Sequence, residues 1–205
     1  NSLEKKRCAK TPFKKGWLPN VCGIAGIVRI AGPGRLPGEI LRGFSKDLAH
    51  RGPDGEGWLC WMPSGSIHRG YHACEHDREG RVALVHRRLA ILDLSMAAAQ
   101  PMSDDTGRYH LTFNGEIYNF LELRKELERE GIRFSTRSDT EVLLTGFRVW
   151  GEALLPRLRG MFALAILDTE RQTLLLARDP LGIKPLYFAQ TSEFLAFASE
   201  QRPLR

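Results

Sequence analysis

The feature that most constrains the fold is the length of the apolar runs and the way they occur in pairs. Residues 161–167 and 173–177 are apolar segments of strand length on either side of the polar turn 168–171. Residues 186–189 and 194–198 repeat this arrangement. Such pairs are typical of antiparallel hairpins. No apolar run approaches the ~20 residues that a membrane-crossing helix needs, so no membrane association is expected.

Helical periodicity occurs in a separate group of segments. Helices are predicted at residues 37–49 and 120–130, and a third begins where Ser138 or Asp139 can cap it. Further strands are predicted at residues 22–30, 58–61, 82–92 (one bent strand or a pair) and 109–114, with residues 63–80 and 95–108 as connections. Because strands come in hairpins and helices in a block, the pattern predicts an α+β fold rather than alternating β-α-β units.

The charge distribution argues against a nucleic-acid-binding protein. The chain of 205 residues carries a net charge of +6, of which residues 1–21 carry +5, so the remainder carries only +1. That remainder has no basic stripe of the kind that follows a phosphate backbone. Since 42% of the residues are hydrophobic, the chain can bury the core of one domain.

Residues 1–21 lack both hydrophobic periodicity and the apolar segment of a signal peptide. We interpret them as a disordered or non-native leader. The four cysteines (Cys8, Cys22, Cys60 and Cys74) form neither a CxxC pair nor a regular disulfide framework. A reducing, cytoplasmic location is therefore expected.

Seven sequence blocks carry the candidate chemistry. They are Cys22-Gly23-Ile24-Ala25-Gly26 and the segments 51–55, 86–93, 113–119, 138–142, 159–163 and 178–187. In this order they resemble the class II glutamine amidotransferases of the N-terminal-nucleophile type. The segments RGPDG, HRRLAILD and FNGEIYN are most similar to the glutaminase domain of glutamine-hydrolysing asparagine synthetases.

The resemblance covers residues 22–200 and implies a four-layer αββα sandwich, with two antiparallel sheets between helical layers. It implies that glutamine is the substrate and that the ammonia passes to a synthetase domain or subunit for ATP-dependent amidation of aspartate. No cofactor is expected in residues 22–200. ATP and Mg²⁺ belong to the synthetase half, whose serine-glycine-glycine-rich loop does not occur in this sequence, so residues 201–205 are interpreted as a truncated tail. A homodimer is a further possibility for the full-length enzyme.

Hydrolysing a carboxamide requires a nucleophile, a base and a site for the oxyanion. By resemblance, Cys22 is the nucleophile and its own α-amine is the base. The Asn114 amide and the Gly115 N–H are the oxyanion donors. The alternative for the cysteine is an inert core thiol. The alternative interpretation of Asn114 and Gly115 is an Asn-Gly hairpin turn. The pattern places both residues at a strand end, followed by a tight turn into the helix at 120–130.

The remaining site residues are expected to hold the two charged ends of glutamine. Arg88 is matched to the substrate α-carboxylate, and Asp139 is matched to the ammonium group. The alternatives are a surface arginine for Arg88 and a plain helix cap for Asp139. Arg87 should point to the opposite face of the strand from Arg88. The other expected substrate-binding residues are Leu89, Ala90, Ile91, Leu92 and Glu116, with Arg51 and Gly52 as supporting residues that hold the nucleophile end.

Two features leave alternatives open. A possible zinc site is formed by His68, His72, Cys74 and His76, which lie close together in the sequence. Their spacing fits no zinc-finger pattern and a solvated loop is preferred, so no metal site is predicted.

Cys22 is preceded by Val21, where the family has its initiator methionine. Valine codons can serve as start codons, so translation from position 21 is one explanation and propeptide cleavage is another. If Cys22 stays blocked, a non-catalytic glutamine-binding or structural domain results. Another alternative for the function is an amidotransferase that passes the ammonia to a different acceptor.

Overall fold

The computed structural model describes residues 22–32, 35–36, 38–72, 78–89 and 99–205. Within them, two antiparallel sheets lie face to face. The first has the order β11-β12-β1-β6-β3-β4 and the second the order β10-β9-β8-β7. The strands of the first sheet are β1 (Gly23–Arg29), β3 (Gly55–Trp61), β4 (Ile67–Gly70), β6 (Val82–Arg88), β11 (Tyr187–Gln190) and β12 (Phe194–Ala198). The second sheet contains β7 (Met102–Ser103), β8 (Tyr109–Ile117), β9 (Gly160–Asp168) and β10 (Thr173–Arg178).

Among the described residues, three α-helices cover the outer faces of these sheets. They are α1 (Gly38–Asp47), α2 (Phe120–Arg129) and α3 (Asp139–Trp150). Leu41, Phe44 and Leu48, in and just after α1, pack on the first sheet. Leu123 and Leu127 of α2, together with side chains of α3, pack on the second. A two-stranded ribbon, β2 (Arg35–Leu36) with β5 (Arg78–Glu79), and short 3-10 helices at Gly151–Arg157 and Arg202–Leu204 complete the described elements.

A third apolar cluster lies between the sheets. Ile24, Leu84 and Phe197 from the first sheet meet Ala163 and Ala165 from the second. Side chains alternate along a strand, so β1 and β6 each place one face toward α1 and the other toward the second sheet. The order of layers is therefore helix, sheet, sheet, helix. This confirms the predicted α+β fold with two antiparallel sheets between helices.

Several element predictions need correction. Strand β8 continues to Ile117, so Asn114 and Gly115 lie inside the strand and not at its end. The connection predicted at residues 63–80 contains β4 and β5, and the loop predicted at 95–108 contains β7. The 3-10 helices were not predicted. The expected helix start at Pro37 and the end of the strand predicted at 82–92 lie outside the described residues, as do residues 1–21.

Pairing across the whole length of β8 and β9 explains the extension of β8. The register runs from Tyr109 opposite Asp168 to Ile117 opposite Gly160 without interruption. An Asn-Gly pair favours a turn only when its neighbours leave the backbone groups unpaired. Here β9 pairs with the backbone of both residues, so the long-range partner overrides the local turn preference.

Candidate active site

Cys22 lies directly before β1, at the end of an inner strand of the first sheet. Its Sγ accepts a hydrogen bond from the Leu89 N–H at 3.3 Å and lies 3.6 Å from the Leu89 carbonyl. Leu89 follows β6, which pairs with β1 from Gly23 opposite Arg87 onward. Cys22 shares its strand face with Ile24, whose side chain packs between the sheets. The thiol is therefore held at the entrance to the space between the two sheets.

Burial and nearby cations have opposite effects on the pKa of the Cys22 thiol. Burial raises the pKa of Cys22, while the Leu89 N–H and the positive charges of Arg88 and Lys184 act in the opposite direction. Burial prevails, so the pKa lies above its ordinary value. A thiol in this state needs a base to become a nucleophile near neutral pH.

The backbone of the nucleophile end is fixed by Arg51. The Arg51 Nε donates to the Cys22 carbonyl at 3.2 Å, and its Nη1 donates to Glu200 Oε1 at 2.9 Å. The His50 Nε2 is 2.9 Å from the same oxygen. On the other side of β1, the Ile24 N–H donates to the Ser199 Oγ at 3.0 Å. Residues that follow β12 therefore hold both ends of the Cys22–Ile24 segment.

Glu200 was not among the predicted site residues. Burial alone would raise its pKa, but hydrogen bonds from Arg51 and His50 outweigh burial, and the pKa lies below its ordinary value. Glu200 is therefore an ion-pair partner and not an acid–base group at neutral pH. No local pattern indicates this role, because the pairing depends on β12 lying beside β1.

Gly52 is required by a close approach of two backbone segments. A Cβ at this position would lie 2.4 Å from the Arg87 carbonyl carbon and 2.5 Å from the Arg88 nitrogen.

Arg87 and Arg88 point to opposite faces of β6. The Arg87 Nε donates to the Gly52 carbonyl at 3.1 Å, and its Nη1 donates to Glu56 at 2.9 Å, on the face that carries α1. Arg88 shares its strand face with Leu84, which packs between the sheets, whereas Arg87 shares its face with Val85, which packs with α1. The prediction that Arg87 and Arg88 point to opposite faces is confirmed.

Asn114 has a buried amide on the face of β8 that looks toward the first sheet. It shares this face with Thr112, whose Oγ1 is 3.5 Å from the Val85 carbonyl of β6. Asn114 is 1% exposed, and within the described residues its Nδ2 has no hydrogen-bond partner. A buried amide donor without a partner is costly unless a ligand completes it. Asn114 therefore offers a donor to a group that enters between the sheets.

Gly115 allows the two strands at this point to lie unusually close together. A Cβ on Gly115 would be 2.2 Å from the Met161 carbonyl oxygen and 2.7 Å from the Phe162 Cα. The alternative of a hairpin turn for Asn114 and Gly115 is wrong, because both residues are paired in β8.

Asp139 is the first residue of α3, but it does not cap this helix. The cap is Ser138, whose side chain accepts from the Glu141 N–H at 3.2 Å. One Asp139 oxygen, Oδ2, instead accepts from the Ile117 N–H at 3.1 Å, which ties α3 to the end of β8. Burial and the neighbouring Glu116 raise the pKa of Asp139. A cationic group bound beside it would favour its ionised form.

His86 is unsuited to act as a base at neutral pH. It is 1% exposed, and burial together with Arg88 and Arg87 lowers its pKa to about 3, although a bond to the Phe113 backbone opposes this shift. The imidazole is therefore neutral and only weakly basic.

Several predicted residues cannot be placed. Ala90, Ile91 and Leu92 lie outside the described residues, as do Cys74 and His76. His68 lies in β4, and the His72 carbonyl accepts from Trp58. Among the residues that are described, no group of three potential metal ligands occurs, and no helix is long and apolar enough to cross a membrane.

The arrangement of sheets and helices is that of the N-terminal-nucleophile amidotransferases. It matches the solved structure of glutamine phosphoribosylpyrophosphate amidotransferase from Bacillus subtilis, complexed with ADP and GMP, with a TM-score of 0.73 and 25% identity over 89% of this chain and 43% of that one. Residues 21–205 match the profile of the glutamine amidotransferase domain, and the chain belongs to this family.

Among similar proteins, asparagine synthetase [glutamine-hydrolyzing] 1 of Bacillus subtilis is 40% identical over 166 residues, which are 81% of this chain and 23% of that protein. A putative glutamine-hydrolysing asparagine synthetase of Mycobacterium tuberculosis is 39% identical over 194 residues, which are 90% of this chain and 28% of that protein. The chain thus spans about a quarter of the length of these relatives. The resemblance stated from the sequence blocks is confirmed.

Proposed function

We propose that Cys22 attacks the side-chain amide of glutamine and releases its nitrogen as ammonia. The observation that carries this proposal is the buried Asn114 amide, which has no partner among the described residues and lies on the strand face turned toward β6. A thiol and an unpaired donor on facing strands are what acyl transfer requires.

The reaction proceeds in two steps, formation of a thioester and its hydrolysis. The Cys22 sulfur, after giving up its proton to the base, bonds to the amide carbon, and the carbonyl oxygen becomes an oxyanion that accepts from Asn114 Nδ2 and the Gly115 N–H. Collapse of this intermediate breaks the C–N bond, and the base returns the proton to the departing ammonia. Water then attacks the thioester, which yields glutamate and the free thiol.

The base in this proposal is the α-amine of Cys22. A free amine at a chain terminus titrates at ~7.7–8.0, so a fraction of it is unprotonated near neutral pH and can accept the proton of the thiol. The nearest histidines are weaker candidates. His86 has a pKa lowered to about 3, and His50 shares an oxygen of Glu200 with Arg51. The proposal therefore requires that Cys22 become N-terminal.

Arg88 and Asp139 hold the two ends of the substrate in this scheme. The Arg88 guanidinium pairs with the α-carboxylate, and Asp139 with Glu116 beside it receives the ammonium group. Leu89 contributes the backbone next to the thiol. Ala90, Ile91 and Leu92 are assigned to the same pocket from the sequence resemblance alone.

We further propose that the ammonia is consumed by a synthetase domain or subunit that amidates aspartate with ATP and Mg²⁺. The relatives named as glutamine-hydrolysing asparagine synthetases support this acceptor. A homodimer of the complete enzyme belongs to the same proposal. The reaction is placed in the cytoplasm, where a reducing environment keeps the nucleophilic thiol free.

The test compares two forms of the chain, one beginning at residue 1 and one beginning with Met followed by Cys22. After removal of the methionine, the second form should release glutamate from glutamine. The intact first form should be slower by about 10²–10⁴-fold, because an acylated nitrogen is not a base. Mass spectrometry establishes each N terminus. Equal rates from both forms would refute the amine mechanism.

The matched control is Cys22→Ala in the shorter form, which should fold normally and release no glutamate. A glutamine analogue that carries a diazoketone should label Cys22, while the buried Cys60 should remain unlabelled. Labelling of Cys60 instead, or hydrolysis by the alanine variant at the parent rate, would contradict the assignment of the nucleophile.

A further inference from the structure

A row of four charged side chains crosses the first sheet beside the nucleophile end, on the face that carries α1. Following the adjacent strands β3, β6, β1 and β12, its members are Glu56, Arg87, Arg51 and Glu200. Arg87 Nη1 donates to Glu56 Oε2 at 2.9 Å, and Arg51 Nη1 donates to Glu200 Oε1 at 2.9 Å. The side chains of Arg87 and Arg51 are 14% and 8% exposed. Ion pairs at this depth are screened less than pairs on the surface, so the row is a defined part of the fold.

Arg87 connects this row to the turn at residues 51–54, which leads from α1 to β3. Its Nε donates to the Gly52 carbonyl at 3.1 Å. The Asp54 N–H donates to the Arg88 carbonyl at 3.0 Å, which ties the same turn to the backbone of β6. The end of β6 therefore fixes the backbone of the turn on either side of Pro53.

Arg51 transmits this constraint to the nucleophile. Its Cδ lies 3.4 Å from the place that a Cβ on Gly23 would occupy, so the missing side chain of Gly23 leaves room for Arg51 to lie across β1. From there the Arg51 Nε donates to the Cys22 carbonyl at 3.2 Å. A shift of Gly52 would move Arg51 and, with it, the backbone of Cys22.

The last residues of β6 thus act on Cys22 from both faces of the sheet. Leu89 contacts the Cys22 sulfur directly through its N–H at 3.3 Å. Arg87, which pairs with Gly23 in the β1–β6 register, points away from the space between the sheets. Its effect on Cys22 runs through the turn and Arg51.

We propose that Arg87 is a positioning residue for the Cys22 nucleophile, and that Glu56 orients the Arg87 guanidinium for this role. This inference rests on the proposed function. Glu56 Oε2 also accepts from the Ser45 hydroxyl of α1, which holds the carboxylate in place. Misplacing a reacting group by about 1 Å can cost as much as 100-fold in rate, so support of this kind affects catalysis without touching the substrate.

Steady-state kinetics of the form that begins at Cys22 test this role. Arg87→Met removes both hydrogen-bond donors and leaves an unbranched apolar side chain. We expect kcat for glutamate release to fall by about tenfold, because the nucleophile is less well placed. KM for glutamine should change by less than about twofold, because Arg88 and Asp139 still hold the ends of the substrate. An unchanged kcat, or a change in KM alone, would overturn the inference.

A double-variant experiment with Arg51→Met tests the route of the effect. If Arg87 acts through Arg51, adding Arg87→Met to Arg51→Met should lower kcat little further. The loss in the double variant should then be smaller than the product of the two single losses. A loss equal to that product would show that the two arginines act independently, and the proposed route would be wrong.

The matched control is Arg108→Met, at the far end of β8 from Asn114. Arg108 donates to both oxygens of Asp168, at 3.0 and 2.7 Å, so this substitution also removes a partly buried ion pair. Both variants should unfold at lower urea concentration than the parent, but Arg108→Met should leave kcat unchanged. An equal loss of kcat in the control would mean that destabilisation explains the loss and that Arg87 has a structural role only.

Hydrogen exchange followed by mass spectrometry tests the held turn in the full chain without turnover. Amides of residues 51–54 should exchange about tenfold faster in Arg87→Met, because the turn opens more readily, and at the parent rate in Arg108→Met. Unaltered exchange in Arg87→Met would overturn the inference even in a chain that hydrolyses glutamine. Faster exchange in a chain that releases no glutamate would refute the proposed function instead.

Glu56→Ala provides the decisive variant if Arg87→Met fails to fold. It keeps Arg87 but removes the carboxylate that orients the guanidinium. We expect kcat to fall by about threefold with KM unchanged, since one charge-assisted hydrogen bond is lost. A parent-like kcat in Glu56→Ala would contradict the proposed role of the row.

Discussion

Substitution of Gly115 by alanine tests whether the close approach of β8 and β9 is essential to the site. The new Cβ would lie 2.2 Å from the Met161 carbonyl oxygen and 2.7 Å from the Phe162 Cα. Both are backbone atoms, so no side-chain rotation relieves the contact. The strands must move apart by about 1 Å before the Cβ reaches an ordinary distance from the Met161 oxygen.

The expected loss of stability follows from this displacement. Overpacking of a tight interior costs about 1–3 kcal/mol. The hydrogen bonds of the β8–β9 ladder near Gly115 and Phe162 would also lengthen, and each is worth about 0.5–1.5 kcal/mol. We therefore expect Gly115→Ala to lower the free energy of unfolding by about 2–4 kcal/mol. Urea-induced unfolding followed by circular dichroism gives this value directly.

The same chemical change at Gly43 is the matched control. Gly43 lies within α1, and a Cβ there would meet nothing within 4 Å. Since alanine is favoured over glycine inside a helix, Gly43→Ala should raise the free energy of unfolding by about 0.5–1 kcal/mol. The two substitutions should therefore change stability in opposite directions.

Activity provides a second readout for Gly115→Ala. Displacing the Gly115 N–H removes one oxyanion donor, so kcat for glutamate release should fall by about 100-fold, while KM changes less. If Gly115→Ala were as stable and as active as the parent, the close packing of β8 against β9 would not be as described, and Gly115 would lose its place in the site.

The remaining predictions concern polar and charged side chains. Asp179→Asn should lower the free energy of unfolding at neutral pH by about 2 kcal/mol, because a carboxylate that accepts three backbone N–H groups is replaced by a neutral amide. The folded-state pKa of Asp179 is depressed, so its contribution is present above the unfolded-state pKa of ~3.9 and disappears as the pH falls through the lower folded-state value. Urea unfolding across pH should show the difference between parent and variant shrinking below about pH 4, and a difference that stays constant would contradict this origin. Arg88→Ala and Asp139→Ala should raise KM for glutamine by about 10–100-fold, because each leaves one charged end of the substrate unpaired, whereas Asn114→Ala should lower kcat by about 10²–10³-fold. Steady-state kinetics would remove Asn114 from the oxyanion role if that variant affected KM alone.

The sequence alone determined those features that depend on local pattern. The hairpin pairs near the C-terminal end, the helices α1 and α2 and the start of α3 at Ser138 or Asp139 all follow from short-range periodicity and capping chemistry. Alternation along a strand was enough to place Arg87 and Arg88 on opposite faces, and the packing of the two strand faces agrees. The ordered sequence blocks were also sufficient to identify the family, because they place the required residue types at the positions where the chemistry needs them.

Only the tertiary structure decided what depends on partners distant in the chain. The local pattern ended β8 at Asn114, but pairing with β9 carries the strand through Gly115 to Ile117. The sequence left Ser138 and Asp139 open as the cap of α3, and the structure assigns Ser138, whose side chain accepts from the Glu141 N–H, while Asp139 accepts from the distant Ile117 N–H. Glu200 shows no local sign of a role, since it reaches Arg51 only after β12 has paired with β1. Periodicity reports which face of an element is buried, whereas hydrogen bonds and charges depend on what the fold brings opposite that face.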